Sequence, residues 1–280
     1  MQCVERGLVT LDEPLDKHLP DLAKQQVYAL NDGPDKEQNP FIITAPKTKV
    51  TLRHLLTHTS GVAYDAWHPV IIPYRAAQGQ SSHAMTGDLK KFLDMPLTFE
   101  PGTEWMYGGS LDWAGQLVER LNGGITLGQY MEENIFKPLG ITQMTFHLEQ
   151  KPETREKLVG FAARTPEGGL VAASSPLADP AKDDIGGAGL YTSVQDYIKV
   201  LADIVSESSK LLKPETLEQM FTPQLDPKGK PVEKLHEMEV FYHNSTGGSA
   251  KDASINYGLG SLLYTDDIAA TGAPKGTIAW

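Results

Sequence analysis

Apolar residues recur at helical spacing through the middle of the chain. Leu111, Ala114, Leu117, Val118 and Leu121 share one face of a segment that opens at Ser110 and closes at Asn122-Gly123, which predicts an amphipathic helix with Ser110 as its N-cap. Thr51 precedes Leu52, Leu55 and Leu56 in the same way. Thr126 and Gln129 have capping-box spacing ahead of a helix from Tyr130 to Phe136, with Pro138 and Gly140 after it. Ser193 and Asp196 repeat that spacing before Tyr197, Ile198, Leu201, Ile204 and Val205, and Pro214 suits the first turn of a helix carrying Leu217, Met220 and Phe221.

Strand signals sit near the end. Tyr257 to Tyr264 and Gly276 to Trp280 are short, apolar and bounded by glycine, and predict two strands that pair as a hairpin. Residues 222–256 have weak periodicity and are punctuated by Pro223, Pro227, Pro231 and Gly247-Gly248, so a long mobile connection is expected there. Residues 31–48 are similarly polar. Met1 to Arg6 reads as helix closed by Gly7, yet no capping residue precedes it and six residues are too few to nucleate a helix alone. Lys275 to Trp280 reads as a strand with no turn after it. Both patterns are expected of a chain that continues past its two ends.

Composition narrows the function classes. The 280 residues are 40% hydrophobic and 22% charged, in the range of a soluble globular protein. The formal net charge of −11, with no basic cluster, argues against nucleic acid as a partner. No apolar run reaches membrane-spanning length and no basic-then-apolar leader opens the chain, so no membrane association is expected. A single cysteine, Cys3, fits a cytoplasmic location. Asn244-Ser245-Thr246 is a glycosylation sequon, expected to be a chance match without a secretion signal.

The segment Glu104-Trp105-Met106-Tyr107-Gly108-Gly109-Ser110-Leu111-Asp112-Trp113 carries the candidate chemistry. It sets a tyrosine on a glycine-loosened turn just before a helix, where a substrate and the backbone can approach closely. A tyrosine titrates near pH about 10 in isolation, so to act as a base it needs a nearby cation and a nucleophile to deprotonate. Neither is evident in the sequence. No serine has lysine three positions later, and there is no Gly-x-Ser-x-Gly, no phosphate-binding loop and no His-Glu-x-x-His. His54 and His58 are one helical turn apart, but no third ligand stands at sensible spacing. The expectation is no metal, with His54 on a helix, His58 bonding locally where it ends, and Gly61 at positive φ closing the turn.

Leu52-Arg53-His54-Leu55-Leu56-Thr57-His58-Thr59-Ser60-Gly61 resembles the signature of the serine β-lactamase-related proteins, a group that includes class C β-lactamases, family VIII esterases and fungal polyketide transesterases of the lovastatin type. Cys3 to Asp12 is similar to the end of the helix that carries the family's Ser-x-x-Lys. Tyr107 with Leu111 to Gly115 resembles the catalytic tyrosine segment, and Gly186-Gly187-Ala188-Gly189-Leu190-Tyr191 the glycine-rich turn before a late helix. The resemblance is closest to the transesterases and spans nearly the whole chain. It implies an α+β fold of the β-lactamase/transpeptidase type in one domain over 1–280, cut at both ends. A mainly helical region over about 12–222 would be nearly complete, and the antiparallel sheet would be incomplete. It implies acyl transfer or ester hydrolysis through an acyl-enzyme without a cofactor, from a small-molecule ester or thioester donor to an alcohol acceptor. Tyr107 takes the acid/base position, while the Ser-x-x-Lys pair would fall before Met1.

Where β-lactamases and carboxypeptidases usually have Tyr-x-Asn, this chain has Gly109 at the third position, so ester or thioester chemistry fits better than β-lactam turnover. The expected substrate-binding residues are Tyr64, Trp67, Gly108, Gly109, Ser110 and Trp280, with Ser110 weighed between a polar contact and a helix cap. Trp105 and Trp113 are expected in the core, and Asp112 as a charge favoured by the helix dipole. The alternative function is a non-catalytic fragment or pseudoenzyme that only binds a ligand or partner.

Overall fold

The computed structural model of the chain describes residues 1–238, 254–269 and 271–279. A short helix α1 (Gln2–Glu5) ends at Gly7, whose φ of 69° reverses the chain. Then come α2 (Pro20–Ala23), the strands β1 (Val27–Leu30) and β2 (Phe41–Thr44), α3 (Leu52–Leu56), α4 (Ile71–Ala77), α5 (Leu89–Leu93) and the long α6 (Ser110–Leu121). After it lie α7 (Leu127–Met131) and α8 (Lys137–Leu139), joined by a π-helical turn over Glu132–Phe136. The chain closes with α9 (Pro152–Arg155), β3 (Phe161–Arg164), β4 (Leu170–Ala173), α10 (Val194–Ile204), α11 (Pro214–Met220), α12 (Lys230–Glu237), β5 (Ile255–Tyr257), β6 (Leu262–Tyr264) and β7 (Ile278–Ala279).

The predicted caps form at Thr51, Thr126 and Ser193, each accepting from the backbone N–H three residues on. The box at Thr51 is completed by a histidine: the Thr51 N–H donates to His54 Nδ1 at 3.3 Å. Ser110 departs from expectation. Gly109 occupies the cap position, and Ser110 is the first helical residue, fully buried with its hydroxyl 2.8 Å from that of Ser60.

The strands also differ from the pattern. The run from Tyr257 to Tyr264 is two strands, folded at Gly258 to Ser261, where the Gly258 N–H donates to the Ser261 carbonyl at 2.8 Å. β6 then pairs antiparallel with both β5 and β7, giving a three-stranded sheet in the order β5-β6-β7. The expected connection over 222–256 contains α12, which starts with Pro231 in its first turn and buries Val232 and Leu235. The sequon at Asn244 and the terminal Trp280 lie outside the described residues. The ribbons β1–β2 and β3–β4, within the region expected to be helical, are antiparallel pairs of four-residue strands. Every residue of β3 and β4 is exposed, so there was no alternation for the sequence to display.

One helix is turned over. Much of the apolar stripe of α10 faces outward, with Val194 at 82%, Tyr197 at 51% and Ile198 at 55% exposure, whereas Leu201 and Ile204 are half-buried and Asp196 and Asp203 are buried. Asp196 accepts from the Gln143 N–H at 2.9 Å and from Lys199, and Asp203 from the Lys210 N–H at 2.8 Å and the Ser209 hydroxyl at 2.6 Å. These bonds satisfy the carboxylates and fix the helix the other way round.

Two larger apolar cores organise the rest, beside a small one of Phe136, Ile141 and Met144. The first joins Leu15, Leu19, Leu52, Leu55, Tyr64, Phe92, Trp113 and Leu117. The second joins Trp105, Leu225, Val232, Leu235, Ile255, Tyr257 and Leu262. Tyr107 packs against both and stands at their seam. Among the described residues, no helix is long and apolar enough to cross a membrane.

Candidate active site

The signature segment builds the floor of the site. Beyond α3 the chain turns through His58, at φ 56°, and Gly61, at φ 89°. The glycine takes the positive φ expected of it. The histidine adopts a left-handed conformation that side chains seldom occupy, and a residue is held there only when its surroundings over-determine it. Three backbone bonds supply that constraint: Thr98 N–H to Gly61 O at 2.8 Å, Gly102 N–H to Thr59 O at 2.7 Å and Met106 N–H to His58 O at 3.0 Å. The last lays the tyrosine segment along the signature turn.

Tyr107 therefore stands over the His58 ring, with centroids 5.0 Å apart. His58 also meets Trp105 at 6.0 Å and the edge of Tyr257 at 5.7 Å. Complete burial lowers its pKa to about 3, so it is a neutral imidazole. His54, by contrast, uses Nδ1 in the helix cap and turns Nε2 toward Gly102. The two histidines, adjacent on paper, face different surroundings.

Tyr107 also meets an aromatic wall. The Tyr64 ring meets Tyr107 edge-on at 5.4 Å, stacks on Phe92 at 5.5 Å and contacts Trp67 at 5.0 Å. Tyr64 is buried and Trp67 is 47% exposed, so the wall runs from the core to the surface. Burial pushes the Tyr64 phenol pKa up, with further contributions from Asp112 and Tyr107. The loop behind the wall is pinned by a buried ion pair. Arg75 Nε donates to Asp65 Oδ2 at 3.2 Å, its Nη atoms donate to the carbonyls of Lys91, Phe92 and Asp94, and Asp65 accepts from Ser82, His83 N–H and Ala84 N–H.

Close backbone packing completes the site. A Cβ on Gly108 would lie 2.3 Å from the Val62 carbonyl oxygen, so only glycine fits. Gly187, in the glycine-rich turn, is equally confined: a Cβ there would lie 2.6 Å from Asp112 Oδ2. Its N–H donates to Asp112 Oδ1 at 3.0 Å. Asp112 stands in the first turn of α6, as expected of a charge favoured by the helix dipole, and is fully buried there.

The structure thus gathers Tyr107, Gly108, Gly109, Tyr64 and Trp67 in one place. Ser110 is there too, sealed beneath the surface against Ser60. Phe92 and Tyr257 are neighbours that the sequence did not single out, and His58 and Asp112, read there as local structure, also adjoin the site. The conjunction of His58 with the family signature was the available signal for that histidine; the others depend on tertiary contacts alone. Two cavities flank α6. One of about 520 Å³ is lined by polar residues including Lys90, Arg120, His147 and Asp184. The other, about 380 Å³ and mostly apolar, is lined by Cys3, Leu111, Val118, Tyr130 and Gly186 among others. Tyr107 lines neither.

Comparison with known proteins places the chain in a family. A family model described as Beta-lactamase matches residues 1–253. The chain is 40% identical over 282 residues to the acyltransferase calJ of Penicillium decumbens, covering 100% of this chain and 66% of that protein. It is 38% identical over 271 residues to a monacolin J acid methylbutanoyltransferase of Aspergillus terreus, covering 96% and 64%. A mutant of simvastatin synthase from Aspergillus terreus superposes with a TM-score of 0.82 at 36% identity, over 99% of this chain and 65% of that one. The chain therefore spans slightly less than two thirds of the length of each of these three proteins.

Proposed function

The chain belongs to the β-lactamase family, and on that premise we propose that it forms the acid/base and binding part of a serine acyl-transfer or ester-hydrolysis site, with Tyr107 as the general acid/base. The observation that carries this reading is the seat of Tyr107. Its ring is fixed between His58 and Tyr64 at the seam of two cores, next to a glycine that lets backbone meet backbone. A phenol held this firmly is preorganised for proton transfer.

In the reaction, a serine oxygen bonds to the acyl carbonyl carbon and the ester or thioester bond to the donor breaks. The serine proton passes through the phenol to the departing alcohol or thiol. An acceptor alcohol, or water, then takes the acyl group by the reverse path. The Aspergillus terreus relative is named for transfer of a methylbutanoyl group, and we assign this site the same class of ligand: a small apolar acyl ester or thioester, with an alcohol as acceptor. The Trp67–Tyr64–Phe92 wall supplies apolar surface for such an acyl group.

No Ser-x-x-Lys occurs in residues 1–280, so we assign the nucleophile and its lysine to sequence outside them and the chain by itself to a binding role. Hydrolysis of p-nitrophenyl butyrate tests this. The chain alone is expected to give no burst of nitrophenol, whereas a protein lengthened at both ends through the neighbouring reading frame is expected to turn over. Tyr107→Phe in the longer protein should lower kcat by about 10²–10⁴ with the fold intact. An unchanged rate in that variant sinks the assignment of Tyr107, and a burst from the chain alone sinks the placement of the nucleophile.

A further inference from the structure

Asp112 lies in the first turn of α6 with no accessible surface. Its Oδ1 accepts the Gly187 N–H at 3.0 Å and so ties α6 to the glycine turn. Its Oδ2 has no hydrogen-bond partner among the described residues. That atom is tightly covered. It lies 2.6 Å from the point a Gly187 Cβ would occupy, and the Tyr64 hydroxyl lies 3.1 Å from the same point. The ring of Phe92 and the backbone of Gly109 close the other side. Phe92, Gly109 and Gly187 bring no charge to the site; the Tyr64 phenol is a titratable group whose ionisation registers the charge of Asp112. A carboxylate sealed this way, with one oxygen unanswered, carries a large desolvation penalty. A carboxylic acid does not incur that penalty, and its remaining oxygen still accepts from Gly187.

We propose that Asp112 is a positioning residue, an uncharged carboxylic acid that seats the Gly186–Gly189 turn against the helix following Tyr107. Its bearing on turnover rests on the assignment of Tyr107 above; its grip on the turn does not. Burial pushes the carboxyl up to about 7. The sign follows from linkage. The folded state holds this proton more tightly than the unfolded chain, so the stabilisation is complete below the ordinary carboxylate range and is lost as pH rises through about 7. Above that pH the buried charge draws water to Oδ2, and the turn loosens from α6.

Hydrogen exchange of the Gly187 amide, referred to the buried Leu117 amide and corrected for intrinsic rate, tests this at pH 6 and pH 8.5. The wild-type chain is expected to lose about tenfold or more of Gly187 protection at the higher pH. Asp112→Asn keeps an acceptor and carries no charge, and is expected to stay protected at both. Asp112→Ala is expected to be poorly protected at both. Equal wild-type protection at the two pH values, or an Asn variant as open as the Ala variant at pH 6, overturns the proposal. Should the variants fail to fold, the Asp112 carboxyl carbon shift of the wild type decides: a midpoint near 7 supports the proposal and one below 5 overturns it. None of these readouts uses turnover, and Tyr107→Phe should leave them unchanged. A failure of the acyl-transfer reading is thus distinguishable from a failure of this one.

Discussion

The rings of His58 and Tyr107 lie 5.0 Å apart at 54° to each other, and the histidine is held neutral by burial. Its ordinary pKa of 6.5 falls to about 3 in the fold. The unfolded chain therefore binds a proton that the native state refuses. The contribution of His58 is fully present above pH 6.5 and is lost as pH falls through the window from 6.5 to 3, a difference on the order of 5 kcal/mol at most. His68, lowered to about 4 by burial, adds to the same window. The urea midpoint should thus drop steeply between pH 7 and pH 4, and His58→Gln should flatten that drop. An identical slope in the variant would show that the acid sensitivity has another source.

The ion pair of Asp65 and Arg75 holds the loop that carries Trp67, and nearly every donor and acceptor in it is answered. Removing one member leaves the other charged and buried. Arg75→Met should cost about 3–5 kcal/mol in urea unfolding. The double variant Asp65→Leu/Arg75→Met should cost clearly less than the sum of the two single changes. Additive losses would mean the pair is not coupled.

How much of this was legible in the sequence depended on the range of the interactions. The caps at Thr51, Thr126 and Ser193 are contacts between residues three apart, so spacing revealed them. The signature segment and the tyrosine segment were legible as motifs, and Gly61 takes the conformation expected of it. Asp112 could be placed on a helix but its burial could not, because the group that buries it, Gly187, is 75 residues away. Ser110 met its partner Ser60 across 50 residues, and so looked like a cap. In α10 the periodicity located a stripe but not the side it faces; Asp196 and Asp203 decided that through backbone donors elsewhere in the chain.

Gly108 tests whether the close approach of Tyr107 to the signature turn is obligatory. A Cβ at that position would lie 2.3 Å from the Val62 carbonyl oxygen and 2.6 Å from the Ala63 Cα, both backbone atoms that cannot swing aside. Gly108→Ala should destabilise the fold by about 1–3 kcal/mol or more. Gly160→Ala, where nothing lies within 4 Å, is the matched control and should change stability by less than about 0.5 kcal/mol. Two equal midpoints in urea would mean that the segment can shift away without penalty.

The outward stripe of α10 makes the last prediction. Val194, Tyr197, Ile198 and Val205 lie along one side of the helix, each more than half exposed, while its polar side is locked inward by satisfied carboxylates. Apolar surface in this arrangement favours association between chains. Replacing Tyr197 and Ile198 with lysine and glutamate should remove that tendency without unfolding the protein, because neither side chain belongs to a buried core. Light scattering across a concentration series should show the double variant staying smaller than the wild type, with urea midpoints within about 0.5 kcal/mol of each other. If the variant instead lost several kcal/mol, the stripe would be contributing to packing within the chain, and its exposure would not describe the molecule in solution.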